Sequence, residues 1–287
     1  MRMYQFGKFI LRIPDDHKIA EIHQQDLFYD RAYGFILEEV GRDNPDSVFV
    51  DIGANVGDTA AFFATYVRNP IIAVEGSPDF LPFLRANAPL LGDQLTVIEA
   101  FIRAKALAGR LMRHESGGGT GTLNFAPSEE QSNVSEQAFM SVENLLAYAR
   151  EGGREVGLIK SDTDGFDGFL MLDVLESEVS SPLFFECDTI HTIADAASPW
   201  PEVFKTLAER DYRIIVFDNF GLPVAAATRD VDKLLTDLSG YIRLQYDVRR
   251  IRLYYLDVWA FPPSQNSLFD RVCERMRTSL LAPHGFG

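Results

Sequence analysis

Short runs of apolar residues recur along the chain, and several of the intervals between them carry helical spacing. The runs show little polar alternation, which is typical of strands buried on both faces of a sheet. The runs span residues 48–50, 71–74, 95–102, 156–159, 183–185, 212–217 and 253–261, and the helical patterns span 58–67, 78–88, 165–175 and 201–210. This order predicts an α/β protein with one seven-stranded, mostly parallel sheet and helices on both of its faces.

Three segments depart from this rhythm. Residues 1–46 read as an N-terminal strand/helix extension, with helical spacing over 24–40. Residues 105–140 contain a glycine-rich stretch and a polar stretch, which predict a loop or hairpin insertion. We interpret that insertion either as a surface segment or as a lid over a substrate. The main domain is expected over 47–262, with a C-terminal tail over 263–287.

The charge balance narrows the classes of partner. The chain has 287 residues, of which 46% are hydrophobic and 24% are charged, as in ordinary globular proteins. It has 27 basic and 42 acidic residues, so its net charge is −15. Such an excess repels phosphate backbones and anionic lipid headgroups. We therefore expect neither a nucleic-acid partner nor a membrane surface.

The two cysteines and the N-terminus favour a reducing compartment. Cys187 and Cys273 form neither a disulfide framework nor a zinc-like cluster, and we expect both to be free thiols. No apolar run approaches the ~20 residues that cross a bilayer. The N-terminal segment also lacks the small-residue cleavage site of a signal peptide. A cytoplasmic protein is expected, and its oligomeric state, including a homo-oligomer, stays open.

The sequence VFVDIGANVGD carries the strongest chemical signal. An apolar strand delivers Asp51 to the carboxyl end of the sheet, where ligands of open α/β folds bind. Gly53 and Gly57 allow a tight turn and a close approach to a ligand, and Asp58 can cap the next helix. Asn55 occupies the position of the middle glycine in a dinucleotide-binding G-x-G-x-x-G motif. A nicotinamide or flavin cofactor is therefore disfavoured.

A second acidic residue ends the next predicted strand. Glu75 lies 24 residues after Asp51 and precedes a glycine, Ser77 and a proline. A carboxylate at this place can accept hydrogen bonds from both hydroxyls of a ribose. The two acids together favour an adenosine-type ligand without phosphates.

These motifs, with others further along the chain, resemble one enzyme family. The segments VFVDIGANVGDTA, IIAVEGSPDFLPFLRAN, SVENLLA, LIKSDTDGFDGFLML and PLFFECDT are similar to those of the FkbM-type family of S-adenosylmethionine-dependent class I methyltransferases. The resemblance covers about residues 47–262. It implies a single Rossmann-like methyltransferase domain and O-methylation of a sugar, polysaccharide or other natural product. The acceptor would then be a small molecule or a glycan.

The resemblance also implies a cofactor site. The glycine turn should hold the methionine part of S-adenosylmethionine, the acid of the second strand the ribose, and the end of the third strand the adenine. The residues implied are Asp51, Gly53, Asn55, Gly57, Asp58, Glu75, Ser77, Glu99, Ala100 and Phe101.

Three carboxylates follow the fourth predicted strand of the sheet. Asp162, Asp164 and Asp167 fall within six positions. Like charges this close raise one another's pKa or require a cation. One interpretation is a divalent ion, Mg or Ca, held by Asp162, Asp164 and Glu186, because such ions prefer oxygen ligands. The family more often has Glu at the position of Asp164, which leaves the reach of that side chain open.

The same end of the sheet should carry the acceptor hydroxyl. Asp162 is expected to face the amino-acid end of the cofactor or the incoming hydroxyl. Asp162, Asp164 or His191 would take the proton from that hydroxyl. His17 and His23 are expected to be solvated, and His114 is assigned no role, with substrate contact as the minor alternative.

Two rival functions remain at this point. One is a non-catalytic α/β module that binds an adenosine-like ligand or a partner through the same strand ends. The other is an NAD-linked oxidoreductase, which the spacing of the glycines disfavours.

Overall fold

A computed structural model describes residues 1–26, 29, 33–177, 179–190 and 197–279. The strands are β1 (Arg2–Phe6), β2 (Phe9–Ile13), β3 (Val48–Ile52), β4 (Ile71–Glu75), β5 (Leu95–Glu99), β6 (Phe101–Arg103), β7 (Met112–Gly117), β8 (Thr120–Phe125), β9 (Phe139–Ser141), β10 (Val156–Ser161), β11 (Leu183–Cys187), β12 (Arg213–Asp218), β13 (Pro223–Ala227) and β14 (Leu256–Phe261). The helices are α1 (Ile19–Gln25), α2 (Gly34–Asp43), α3 (Asp58–Tyr66), α4 (Leu81–Leu91), α5 (Val142–Ala149), α6 (Asp167–Glu176), α7 (Trp200–Glu209), α8 (Val231–Asp247) and α9 (Asn266–Ser279).

The central sheet has the order β13-β12-β14-β11-β10-β3-β4-β5. The five strands from β11 to β5 are parallel, whereas β14 runs antiparallel to both of its neighbours. This is a Rossmann-like α/β architecture with a mainly parallel sheet. The seven predicted apolar runs all form strands of the fold. The strand order changes direction between β3 and β10, because β4 and β5 follow on one side of β3 and β11 follows on the far side of β10. Ligands of open α/β sheets bind at such a point.

Two details of the predicted sheet were wrong. The run over 95–102 is broken at Ala100, because β6 leaves the sheet and pairs with β9. An eighth strand, β13, joins the edge of the sheet and pairs only with β12 among the described residues. The pattern did not indicate it, because its exposure alternates residue by residue and its small side chains resemble a loop.

Helices cover both faces of the sheet. On one face α5, α6, α7 and α8 pack against β-strand residues such as Val48, Val50 and Ile52. On the other face α2, α3, α4 and α9 pack against residues such as Phe49. Because side chains alternate along a strand, Asp51 follows Phe49 to this second face. The four predicted helical patterns correspond to α3, α4, α6 and α7.

The N-terminal helix prediction over 24–40 was only partly right. The structure has two helices here, since α1 ends at Gln25 and α2 begins at Gly34. Residues 27, 28 and 30–32 lie outside the described residues. No helix was assigned to the C-terminal tail, yet residues 266–279 form α9.

The N-terminal extension and the C-terminal helix pack against each other. Arg271 and Arg275 on α9 approach Glu39 of α2 at 3.2 and 3.1 Å between nitrogen and oxygen. Glu39 is buried, which alone would raise its pKa, but its hydrogen bonds with Arg42, Arg275 and Arg271 lower that pKa. Both termini thus belong to the layer that covers one face of the sheet.

Cys187 and Cys273 are free and buried, as predicted. None of the described helices combines the length and the apolar composition that a bilayer crossing requires.

One buried amide attaches the N-terminal hairpin to the sheet. Asn87 on α4 donates through Nδ2 to the carbonyls of Arg12 and Val56, at 2.9 and 2.8 Å. Its Oδ1 accepts from the amide of Arg12 at 2.8 Å. A single side chain therefore ties β2 to the loop that precedes α3.

We predict that Asn87→Ala lowers the free energy of unfolding by about 2–4 kcal/mol, because it leaves buried backbone groups without partners. Urea denaturation followed by circular dichroism measures this change. The control is Asn124→Ala on the exposed face of β8, which should shift the free energy by less than ~0.5 kcal/mol. Equal losses of unfolding free energy in the two variants would contradict the stabilising role of Asn87.

Candidate functional site

A cavity opens where β3 and β4 end and β6 begins. It encloses about 570 Å³, including its mouth. The walls come from the loops after β3, β4, β5 and β10 and from the β7–β8 hairpin. The lining residues are Ile52, Gly53, Asn55, Val74, Glu75, Gly76, Phe80, Ala100, Phe101, Ile102, Gly121, Leu123, Asp162, Thr163, Asp164 and Phe166. The cavity lies at the carboxyl ends of the strands, where the sequence predicts the ligand site.

Glu75 is the buried acid of this cavity. Its Oε2 accepts from the amide of Asn55 at 2.7 Å, and its Oε1 accepts from the amide of Ser77 at 2.6 Å. Burial raises the pKa of Glu75 to about 7, although these backbone hydrogen bonds oppose the rise. With a further bond from the amide of Gly76, three backbone donors serve this carboxylate, which leaves acceptor capacity for a ligand hydroxyl.

Two glycines allow neighbouring segments of the cavity wall to pack in direct contact. Gly53 has φ +78°, and a Cβ there would lie 1.8 Å from the carbonyl oxygen of Asp162. A Cβ at Gly76 would lie 2.3 Å from Cγ of Phe101. The loop after β3 therefore contacts the loop after β10, and the end of β4 contacts the start of β6, with no room for a side chain.

Asp51 faces away from the cavity and pairs with Lys160. Nζ of Lys160 lies 3.0 Å from Oδ1 of Asp51 and 3.6 Å from Oδ2 of Asp162, and it donates to the carbonyl of Gly53 at 3.2 Å. Both Asp51 and Lys160 are buried. Burial lowers the pKa of Lys160, but the two carboxylates outweigh that effect and raise it, so the side chain is an ammonium. Direct contact of Asp51 with a ligand stays a prediction, since its carboxylate does not line the cavity.

The three carboxylates after β10 have three different environments. Asp167 is buried and accepts from Ser161 Oγ at 2.5 Å and from the Thr163 amide at 3.1 Å, so it braces its own loop. Asp164 lines the cavity with a left-handed φ of 50°. Burial and then the charges of Asp162 and Asp167 raise the pKa of Asp164 to about 7. Asp162 also lines the cavity, and its side chain is 48% exposed.

The predicted metal centre does not form. Glu186 does not line the cavity with Asp162 and Asp164. In the part of the chain that the structure describes, no three His, Cys, Asp or Glu side chains converge as metal ligands. The cation that the cluster requires is Lys160, which lies between Asp51 and Asp162. Burial and the neighbouring carboxylates instead raise the pKa of Glu186 well above its usual value.

Besides Asp51, four predicted cofactor residues do not line the cavity. Gly57 precedes α3 with φ +87°, and Asp58 begins that helix. Ser77 supports Glu75 through its amide. Glu99 forms a bidentate ion pair with Arg85 and does not line the cavity. Ala100 and Phe101, by contrast, do line it. The predicted base His191 lies outside the described residues.

The predicted insertion contains the β7–β8 hairpin, which forms a roof over the cavity. Asn55 donates through Nδ2 to the carbonyl of Gly119 at 2.7 Å, so the turn between β7 and β8 is attached to the glycine turn after β3. The amide of Lys18 donates to the carbonyl of Gly118 at 3.4 Å. His17 is 5% exposed, with Nε2 3.4 Å from Oδ1 of Asn55, so the prediction that it is solvated was wrong. Of the two interpretations of the insertion, the lid agrees with these contacts.

Comparison with known proteins gives only a distant likeness. No protein-family model matches the chain, and no curated protein matches it in sequence. Among solved structures, the O-methyltransferase TomG of Streptomyces achromogenes, involved in tomaymycin synthesis and in complex with SAM, is 11% identical, covers 90% of this chain and 93% of that chain, and has a TM-score of 0.42. An O-methyltransferase from Bacillus cereus in complex with SAH is 11% identical, covers 87% of this chain and 92% of that chain, and has a TM-score of 0.44. A likeness this distant carries no assignment of substrate or reaction.

We predict that Lys160→Met lowers the free energy of unfolding by about 3–5 kcal/mol, because it leaves the buried carboxylate of Asp51 without its cation. The double variant Lys160→Met/Asp51→Asn should recover most of that loss. Urea denaturation at pH 7.5 provides the comparison.

Lys105→Met is the matched control, since Lys105 forms an exposed pair with Glu176. Its unfolding free energy should remain close to that of the unaltered protein. If Lys160→Met were no more harmful than this control, the ion pair would not have the structural role assigned to it.

Proposed function

We propose that the chain is an S-adenosylmethionine-dependent methyltransferase of the FkbM type, which methylates a hydroxyl of a sugar, polysaccharide or other natural product. The observation that carries the proposal is the charge of the cavity. Glu75, Asp162 and Asp164 line it, and no Lys or Arg is found among its lining residues in the described chain. Such a wall repels the pyrophosphate of a dinucleotide and attracts the sulfonium and ammonium groups of S-adenosylmethionine.

The residues present fit such a cofactor. Glu75 offers two anchored carboxylate oxygens that can accept from a pair of ribose hydroxyls. Asp162 offers a half-exposed carboxylate to the amino group, and Gly53 presents backbone without a side chain. Phe101 and Phe80 supply apolar ring surface for a base.

When bound, S-adenosylmethionine supplies an electrophilic methyl group for an in-line displacement. The protein's part is to hold the acceptor oxygen in line, which can contribute roughly 7–11 kcal/mol in favourable cases. The ion pairs of Lys160 keep the loop with Asp162 at a fixed distance from the glycine turn. This arrangement restricts the motion of the wall that faces the acceptor.

Asp164 is the better placed of the two cavity carboxylates to take the acceptor's proton. A pKa of about 7 matches a general base at neutral pH, since the base is then both ionised and able to hold a proton. Asp162 is half-exposed and lies 3.6 Å from the ammonium of Lys160, so we assign it to binding the amino group of the cofactor.

We predict that Glu75→Gln weakens the binding of S-adenosylhomocysteine by about 10- to 100-fold, because it removes a charge-assisted acceptor of two hydroxyls. Isothermal titration calorimetry measures the dissociation constant. Glu99→Gln, outside the cavity, should leave it unchanged. Unaltered binding in Glu75→Gln, or binding of NADH in place of S-adenosylhomocysteine, would refute the cofactor assignment.

We predict that Asp164→Asn lowers kcat by about 10²- to 10⁴-fold while leaving the affinity for S-adenosylhomocysteine within threefold. The acceptor is taken from a screen of sugar and phenolic hydroxyls with radiolabelled S-adenosylmethionine. Because the ionised form of Asp164 is the active one, kcat should rise with pH through about 7 in the unaltered protein and lose this rise in the variant.

Asp230→Asn is the matched control, because Asp230 shares the left-handed conformation (φ 51°) but lies outside the cavity. Asparagine tolerates that conformation, so neither variant should strain the backbone. If Asp164→Asn transferred methyl groups with the pH profile of the unaltered protein, Asp164 would not be the general base. Cofactor binding without transfer to any hydroxyl would instead favour the non-catalytic module.

A further inference from the structure

A histidine of the N-terminal extension lies where three segments around the cavity meet. The side chain of His17 is buried, and its Nε2 lies 3.4 Å from Oδ1 of Asn55 in the turn after β3. Its ring packs against the turn of the roof, since a Cβ on Gly119 would lie 3.0 Å from its Cγ and Nδ1. Its ring centroid lies 6.5 Å from that of Phe80, in an edge-to-face arrangement. Because Asn55 and Phe80 both line the cavity, His17 lies directly behind the cavity wall.

The hydrogen bonds of this ring determine its tautomer. Nδ1 of His17 accepts from the amide of Ile19 at 3.3 Å. A ring nitrogen that accepts carries no proton, so in the neutral imidazole the proton is on Nε2. Nε2 therefore donates to Oδ1 of Asn55.

This bond sets the orientation of the Asn55 side chain. With Oδ1 directed to His17, Nδ2 is directed to the carbonyl of Gly119, to which it donates at 2.7 Å. The backbone amide of Asn55 donates to Glu75. His17 thus contacts the roof directly, through Gly119, and also supports the residue that joins the roof to the buried acid.

The segment that carries His17 is itself attached to the fold. The guanidinium of Arg2 on β1 donates to the carbonyl of His17. β1 pairs with β2, which Asn87 ties to α4. The next residue, Lys18, donates through its amide to the carbonyl of Gly118 at 3.4 Å. The extension therefore offers the roof a support that is anchored elsewhere in the protein.

We propose that His17 is a positioning residue of the cofactor site, which holds Asn55 and the roof in place and so slows the release of the bound nucleoside. This inference rests on the proposed function, because it takes that nucleoside to be the cofactor. The roof contributes Gly121 and Leu123 to the cavity wall, so a bound ligand loses contacts when the roof moves away. The N-terminal extension, which lies outside the segment that resembles the methyltransferase family, thereby takes part in binding.

Two substitutions separate the roles of the two ring nitrogens. In His17→Gln the amide nitrogen can replace Nε2 and keep the bond to Asn55, whereas in His17→Asn the oxygen can replace Nδ1 and keep only the bond from Ile19. His17→Asn should weaken the binding of S-adenosylhomocysteine about 3- to 10-fold and speed its dissociation by a similar factor, and His17→Gln should stay within about twofold of the unaltered protein. Surface plasmon resonance at pH 7.5 measures both constants.

His23→Asn is the matched control, because His23 lies on α1 of the same extension and contacts Tyr4. It should leave the affinity for S-adenosylhomocysteine unchanged. Equal affinities of His17→Asn and His17→Gln, or a loss confined to His17→Gln, would overturn the positioning role. A loss confined to His17→Gln would mean that the ring acts only through the amide of Ile19.

The roof offers a second pair of variants, in which His17 itself is unchanged. Gly118 and Gly119 both have a positive φ, +65° and +97°, so alanine strains the backbone at either position. The atoms nearest to a Cβ on Gly118 belong to the flexible side chain of Lys18, whereas those nearest to a Cβ on Gly119 belong to the His17 ring. Gly119→Ala should therefore bind S-adenosylhomocysteine about 3- to 10-fold more weakly than Gly118→Ala. Equal affinities of this pair would also overturn the proposal.

Hydrogen exchange of the unliganded protein tests the contact with the roof separately. Amides of β7 and β8 should exchange faster in His17→Asn than in His17→Gln, because a roof with fewer contacts opens more often. Equal exchange in the two variants would overturn the hold of His17 on the roof. Failure of the unaltered protein to bind S-adenosylhomocysteine would instead overturn the proposed cofactor, and the exchange result would still decide whether His17 holds the roof.

Discussion

The ammonium group of Lys160 holds together the parts of the chain that form the cavity. It is buried between Asp51 at the end of β3 and Asp162 after β10, and it also donates to the carbonyl of Gly53. A charge buried this deeply requires partners, and here the partners lie at the ends of β3 and β10. The loops after both strands line the cavity, and the ion pairs hold these two loops together. Asp51, which the motif predicts as a ligand contact, lies behind the cavity wall and supports it.

The walls of the cavity combine segments that are distant in sequence. Local backbone geometry supplies one part, since the amides of Asn55 and Ser77 bind the carboxylate of Glu75. The insertion between β6 and β9 supplies the other part through Gly121 and Leu123. The contact between Asn55 and the Gly119 carbonyl joins the two. Asn55 thus contacts Glu75 through its backbone amide and the roof through its side chain, which ties the position of the roof to that of the buried acid.

The sequence predicted what depends on local pattern. Uninterrupted apolar runs identified the seven strands, and acids at strand ends identified Glu75 and Asp162 at the edge of the cavity. It could not predict pairings formed across the fold. The need for a cation near Asp162 was visible, but the spacing could not show that Lys160, two residues earlier, points back to Asp51. His17 looked solvated because its burial comes from Asn55 and the hairpin tip, which are remote in sequence. The predicted metal ligand Glu186 was wrong for the same reason. The edge strand β13 was missed for a local reason, because its small residues resemble a loop.

The acidic cavity also suggests how a methyl donor and its product would differ at this site. Burial raises the pKa of Glu75 and of Asp164 to about 7, so the unliganded site holds negative charge poorly. A sulfonium ion brings positive charge and favours the ionised carboxylates, whereas the thioether left after methyl transfer is neutral at sulfur. The same wall that attracts the donor therefore attracts the product less. On the proposed function, methyl transfer itself therefore lowers the affinity of the site for the nucleoside. Burial of the two carboxyl groups enlarges the difference in affinity between donor and product, because buried charges are screened less.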